Sequence, residues 1–209
     1  MTLYRHASTA IVLGTVASIV TMALHPTGAD AIRVAEAGGH NVLLRGVHLL
    51  AVFAQPFLLA GTAALTWRLR SSGAAMLGMA SFTLAVFAVM IAAAASGLVA
   101  PHVAESVADA AGNEQALFFE LLHYTGAINR AFASLYVLLT GMAVLAWSWA
   151  MRGTDVFPMA LAWLGYLLGA AGMFVGSTGV VPLDVIGFGA VVLAQAVWMV
   201  WMAVVMRSE

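Results

Sequence analysis

The sequence predicts an all-α fold, a polytopic helical bundle that crosses a membrane six times. Of its 209 residues, 63% are hydrophobic and only 8% are charged, whereas soluble domains usually carry about 25% charged residues. The apolar residues fall into long runs, and about 20 such residues form a helix that spans the hydrocarbon core of a bilayer. We therefore expect one membrane domain, residues 1–209, with the lipid bilayer as its surroundings.

The first four apolar runs place spans near residues 8–25, 43–66, 73–100 and 117–148. The first run follows Arg5 and so resembles a signal peptide, but the segment after it, His25-Pro26-Thr27-Gly28, lacks a small-x-small cleavage site. We interpret it as a membrane span. The connection after the third span contains a stretch, residues 104–111, that could form a short interfacial helix.

The last two runs place spans near residues 157–178 and 184–206. The fifth contains two Gly-x-x-x-Gly spacings, which let helix backbones approach closely in lipid and therefore indicate tight packing. These are Gly165 with Gly169 and Gly172 with Gly176. Five tryptophans lie near one set of span ends, where indole rings commonly anchor a helix at the membrane surface; they are Trp67, Trp147, Trp149, Trp198 and Trp201.

The arginines predict the orientation of the bundle. With six spans, one side collects Arg5, Arg68, Arg70, Arg152 and Arg207, and the positive-inside rule makes that side cytoplasmic. Both termini are then cytoplasmic and the protein lies in the inner (plasma) membrane. The opposite, periplasmic side collects most acids: Asp30, Glu36, Glu105, Asp109, Glu114, Glu120 and Asp184.

Composition excludes several kinds of chemistry. The chain has no cysteine, which removes iron–sulfur clusters and thiolate metal ligands. All eight basic residues are arginine, so no lysine is present to form a Schiff base with pyridoxal or retinal. No run of basic residues supplies the electrostatic footprint that nucleic acid binding needs.

An internal repeat relates two helical hairpins. Sliding the sequence by 75 residues places Pro26 on Pro101 and His48 on His123. The repeat predicts a four-helix unit that carries the site, residues 1–150, with His48 and His123 at equal depth on facing helices. The last two spans, residues 157–206, then form an appended hairpin.

Five of the six histidines fall at the outer ends of the first four spans. Three or four nitrogen or oxygen donors that converge could bind zinc, copper or iron. Glu120 and His123 share one helix face because they are three residues apart. The candidate ligands are His25, His48, His102, Glu120 and His123.

Haem b is the second candidate cofactor. It needs two histidines across a bundle, small residues to admit the porphyrin and cations for its propionates. His48 and His123 supply the ligands, and Arg45 and Arg130 supply the cations.

The predicted function is a histidine-ligated metal centre near the outer face, for electron transfer or for metal-assisted chemistry on a lipid-soluble substrate such as a quinone. An enzyme of this kind would be a membrane metalloenzyme or oxidoreductase.

Two alternative functions remain open. One is a transporter or receptor that uses Arg45, Glu120, Asn129 and Arg130 as a polar pocket, with Arg45 and Glu120 as an ion pair. The other is a homo-oligomeric or structural subunit of a larger membrane complex.

Overall fold

The computed structural model describes residues 2–25, 40–109 and 111–208. The predictions that involve Pro26, Asp30 and Glu36 lie outside the described residues, as does the side chain of His40. Within the described part, the fold is entirely helical and contains six helices long and apolar enough to cross a membrane. The predicted fold class is therefore confirmed.

Seven α-helices follow one another in the part of the chain that the structure describes. They are α1 (Thr2–Leu24), α2 (His40–Arg68), α3 (Gly73–Ala94), α4 (Ala100–Asp109), α5 (Asn113–Met151), α6 (Met159–Thr178) and α7 (Val185–Arg207). A π-helical turn, Ala95–Val99, joins α3 to α4 without a break. The third span consequently continues to Ser106, well beyond its predicted end, and α4 extends this span where a separate short helix was expected.

The six spanning helices form a closed ring. α1 packs against α2, α2 against α3, α3 against α5, α5 against α6, α6 against α7, and α7 returns to α1. We call the two ends of this ring the arginine end, where Arg68, Arg152 and Arg207 lie, and the histidine end, where His25 and His48 lie. The main apolar core draws residues from all six spans, with Leu65, Trp147 and Trp198 among them.

The structure corrects the interpretation of two tryptophans. Trp67, Trp149 and Trp201 are exposed, as membrane-surface anchors should be, but Trp147 and Trp198 are fully buried. Their rings stack with centroids 6.4 Å apart. Each indole N–H has a partner inside the bundle, because Trp147 donates to Thr66 Oγ1 at 3.0 Å and Trp198 to the Leu161 carbonyl at 3.1 Å. Those partners remove the cost of burying the N–H.

The glycines of the fifth span pack as predicted. A Cβ atom at Gly169 would lie 2.7 Å from the carbonyl oxygen of Gly141 in α5, and a Cβ atom at Gly176 would lie 2.6 Å from the backbone nitrogen of Leu138. The backbones of α5 and α6 thus approach too closely for side chains at these positions. The packing interpretation of the two Gly-x-x-x-Gly spacings is confirmed.

Candidate functional site

The antiparallel hairpin of α1 and α2 brings two histidines together. His25 directly follows the last residue of α1, and His48 lies about two turns into α2. Each is 20 residues from an arginine at the opposite end, Arg5 and Arg68 respectively. Twenty helical residues extend about 30 Å, so the two imidazoles reach the same depth at the histidine end.

The two imidazoles contact each other through their Nε2 atoms, which lie 3.3 Å apart. The ring centroids are separated by 4.9 Å and the planes meet at 67°. His48 Nδ1 lies 2.7 Å from the carbonyl oxygen of Leu44. A carbonyl oxygen can only accept a hydrogen bond, so Nδ1 carries the proton of neutral His48. The Nε2 lone pair of His48 therefore faces His25.

Two neighbouring segments, the π-helical turn and α1, hold His48 in place. The side chain is buried, with 7% of its surface exposed. The π-helical turn packs on it so closely that a Cβ atom at Gly97 would overlap the Cβ and Cγ atoms of His48. Thr21 lies one helical turn closer to the arginine end than His25. Its hydroxyl is 3.3 Å from the Val47 carbonyl, within hydrogen-bonding distance, so this contact joins α1 to α2. The imidazole consequently has little freedom to turn away from His25.

The other predicted ligands lie apart from this pair. His102, Glu120 and His123 are exposed side chains of α4 and α5. Among the residues that the structure describes, no group of three or more histidine, aspartate or glutamate side chains gathers where it could hold a metal ion. Of the five predicted ligands, the structure thus joins His25 to His48.

The pairing of His48 with His123 around a haem b stays a prediction. The helices that carry these residues have different neighbours, because α2 packs against α1 and α3 whereas α5 packs mainly against α3 and α6. The Nε2 atom of His48 faces His25. Arg130, the predicted partner of a propionate, is exposed.

Arg45 forms an ion pair with Glu105 of α4, at 2.9 Å between Nη2 and Oε1. The sequence offered Glu120 as its partner, but the continuation of the third span into α4 brings Glu105 to α2 instead. Both side chains are roughly half exposed, 42% for Arg45 and 48% for Glu105. The pair joins α2 to α4 beside the candidate site formed by His25 and His48, which we call the histidine site.

A second group of polar side chains lies deeper in the bundle. Gln195 of α7 donates to Thr140 Oγ1 at 2.7 Å and lies 3.4 Å from the Tyr136 hydroxyl. Thr15 Oγ1 and Gln55 Oε1 are buried and make no hydrogen bond within the described part of the chain. These side chains carry no charge, whereas the pocket of the transporter alternative consists mainly of charged residues. We therefore interpret them as polar packing contacts.

Two residues of the histidine site were not singled out from the sequence. Glu105 was counted only among the acids of the outer side, and Gly97 falls within the third predicted span without any role assigned to it. A glycine in the final turns of an apolar helix, beside Ser96, is the one signal that could have indicated a close approach there. The π-helical turn that positions Gly97 has no recognisable sequence pattern.

Comparison of the chain with protein-family models, with curated proteins and with solved structures gave no match.

Proposed function

We propose that this six-span membrane protein binds a divalent transition-metal ion between His25 and His48 at the histidine end. The 3.3 Å separation of the two Nε2 atoms carries the proposal. Two nitrogens that each lie about 2.0–2.1 Å from a tetrahedral zinc ion are about 3.3–3.4 Å apart. The imidazoles thus already have the spacing of two metal ligands.

The hydrogen bond from His48 to Leu44 supports this proposal independently. Metal-binding histidines almost always donate their second ring N–H to a carbonyl or carboxylate, which fixes the tautomer and the ring orientation. His48 does so through Nδ1 at 2.7 Å. The burial of the side chain keeps water from competing for the Nε2 lone pair.

Two protein ligands leave coordination positions open. A zinc ion in a structural site has four protein ligands, and a catalytic ion keeps a position for water or substrate. A site built on His25 and His48 alone therefore favours exchangeable binding and metal-assisted chemistry over a closed structural role. Imidazole ligands suit zinc, copper and iron alike, and a position at the ends of two membrane spans suits a lipid-soluble substrate.

Neither alternative function is favoured by a contact among the residues that the structure describes. The transporter or receptor pocket needs Arg45, Glu120 and Arg130 to converge, but Arg45 is paired with Glu105, and Glu120 and Arg130 are exposed. A structural subunit could use the glycines of the fifth span as its contact surface, but those glycines pack inside the bundle against α5.

The test is Co²⁺ binding to detergent-purified protein, followed by visible absorption and by metal analysis of the same sample. We expect one Co²⁺ per chain, displaced by Zn²⁺, and loss of that binding in both His25→Ala and His48→Ala. The matched control is His123→Ala, which removes an exposed histidine of the same predicted set and should leave binding unchanged.

Three results would overturn the proposal. Metal binding that survives in His25→Ala and His48→Ala would place the ion elsewhere. The absence of Co²⁺ or Zn²⁺ binding would leave the histidines as a simple hydrogen-bonded pair. A haem absorption band lost in His48→Ala and in His123→Ala would favour the haem b prediction instead.

A further inference from the structure

A groove opens on the outside of the bundle near the arginine end, between α3, α5 and α6. Its volume is about 310 Å³, and almost all of its lining is apolar. Leu77 of α3, Met142 and Leu145 of α5 and Tyr166 of α6 form its walls. Because this surface belongs to spanning helices, the groove faces the acyl chains of the leaflet at the arginine end.

One cation lies at the rim of this groove, between two aromatic rings. The guanidinium carbon of Arg152 is 5.7 Å from the ring centroid of Trp149 and 5.9 Å from that of Trp163. Trp149 also lines the groove. Arg152 itself is exposed, so its N–H groups can bind an anion while the two rings hold the guanidinium in position.

One residue that lines the groove, Tyr166, carries a buried hydroxyl. The Tyr166 ring contacts the Trp163 ring with centroids 5.5 Å apart. Its hydroxyl is buried and makes no hydrogen bond to any residue that the structure describes. A buried O–H without a partner is costly, and Tyr166 lines the groove, so a ligand there can accept its hydrogen bond.

We propose that this groove binds a glycerophospholipid. The phosphate binds Arg152, an ester carbonyl accepts from the Tyr166 hydroxyl, and one acyl chain lies along Leu77, Met142 and Leu145. Each of the three chemical groups of the lipid thus meets a group of the protein that suits it: a cation, a hydrogen-bond donor and an apolar surface. This inference does not depend on the histidine site.

The proposal is tested by binding of phosphatidylglycerol to delipidated protein in detergent, measured by native mass spectrometry. We expect the wild-type protein to retain one lipid. Arg152→Gln and Tyr166→Phe should each weaken its binding, Arg152→Gln by about 10-fold because a charged hydrogen bond is lost. Leu77→Trp, at a position whose side chain is 53% exposed, should block the groove without disturbing the core.

The matched control is Arg70→Gln. Arg70 also lies over a tryptophan at the arginine end, 4.8 Å from the Trp67 centroid. Trp67 does not line the groove, whereas Trp149 beside Arg152 does. Equal loss of binding in Arg70→Gln and Arg152→Gln would show general surface attraction and overturn the proposal. Equal binding of diacylglycerol and phosphatidylglycerol would overturn the role of the phosphate. Failure of the wild-type protein to retain lipid would overturn the site itself.

Discussion

Three buried side chains of this bundle donate to specific hydrogen-bond acceptors. The indole N–H of Trp147 donates to Thr66, that of Trp198 donates to the Leu161 carbonyl, and His48 donates to the Leu44 carbonyl. A donor left unpaired in an apolar interior costs about 1–3 kcal/mol. Residue type and position along a span therefore do not decide whether a tryptophan anchors the surface or fills the core. The acceptor on a neighbouring helix decides it.

Gly97 provides the sharpest test of how His48 is positioned. In Gly97→Ala the added methyl group would overlap His48, so either the imidazole or the π-helical turn must move. Overpacking of this kind destabilises a protein by about 1–3 kcal/mol. We expect a lower midpoint of thermal unfolding in detergent and weaker Co²⁺ binding than in the wild-type protein.

Gly46→Ala is the matched control for this substitution. Gly46 lies in α2 two residues before His48, and a Cβ atom there would have no neighbour within 4 Å. Replacing an exposed helical glycine by alanine stabilises a helix by about 1 kcal/mol. If Gly97→Ala unfolds and binds metal as Gly46→Ala does, the π-helical turn does not position His48.

At the scale of the helices, the sequence predicts the spans well and the details of their ends poorly. The six apolar runs match the six spanning helices because a bilayer requires about 20 apolar residues for each crossing. The third span was expected to end near residue 100, yet it continues as helix to Ser106. Its continuation depends on contacts with α2 and α5, and hydropathy contains no information on such contacts.

Close backbone packing of α5 on α6 should be sensitive to a single methyl group. A Cβ atom at Gly141 would lie 2.7 Å from both the Gly169 carbonyl oxygen and the Met173 backbone nitrogen, so Gly141→Ala must push the helices apart. We expect a loss of about 1–3 kcal/mol in the free energy of unfolding. Titration of the protein in mixed micelles with a denaturing detergent measures this loss.

Gly172→Ala tests whether the effect is specific. Its Cβ atom would lie 3.4 Å from the nearest atom, Gly141 Cα, which is an ordinary contact. The change in stability should therefore stay within about 1 kcal/mol, the size of the helix propensity difference. Equal destabilisation by the two substitutions would show that the interface does not depend on the close approach at Gly141.

For the whole molecule, the members of the site could be predicted but their partnership could not. His25 and His48 were both predicted as ligands, because polar residues at the ends of spans are conspicuous in so apolar a chain. The repeat aligned His48 with His123 and gave no indication that His25 lies beside its Nε2 atom. The actual neighbour follows from the antiparallel packing of α1 on α2. Side-chain packing along both helices sets the position of α1 relative to α2. The spacing of the histidines in the sequence contains no information on that packing.

The orientation of the whole bundle can be tested directly because the chain contains no cysteine. Ser71→Cys introduces a thiol at an exposed position of the arginine end, and Ser177→Cys introduces one at an exposed position of the histidine end. If the positive-inside rule holds, a membrane-impermeant maleimide added to intact cells should label Ser177→Cys and leave Ser71→Cys unlabelled. Permeabilised cells should show both labelled. The opposite pattern in intact cells would place the histidine pair on the cytoplasmic side, so that the proposed metal ion would come from the cytoplasm. It would also place the proposed phospholipid groove in the outer leaflet.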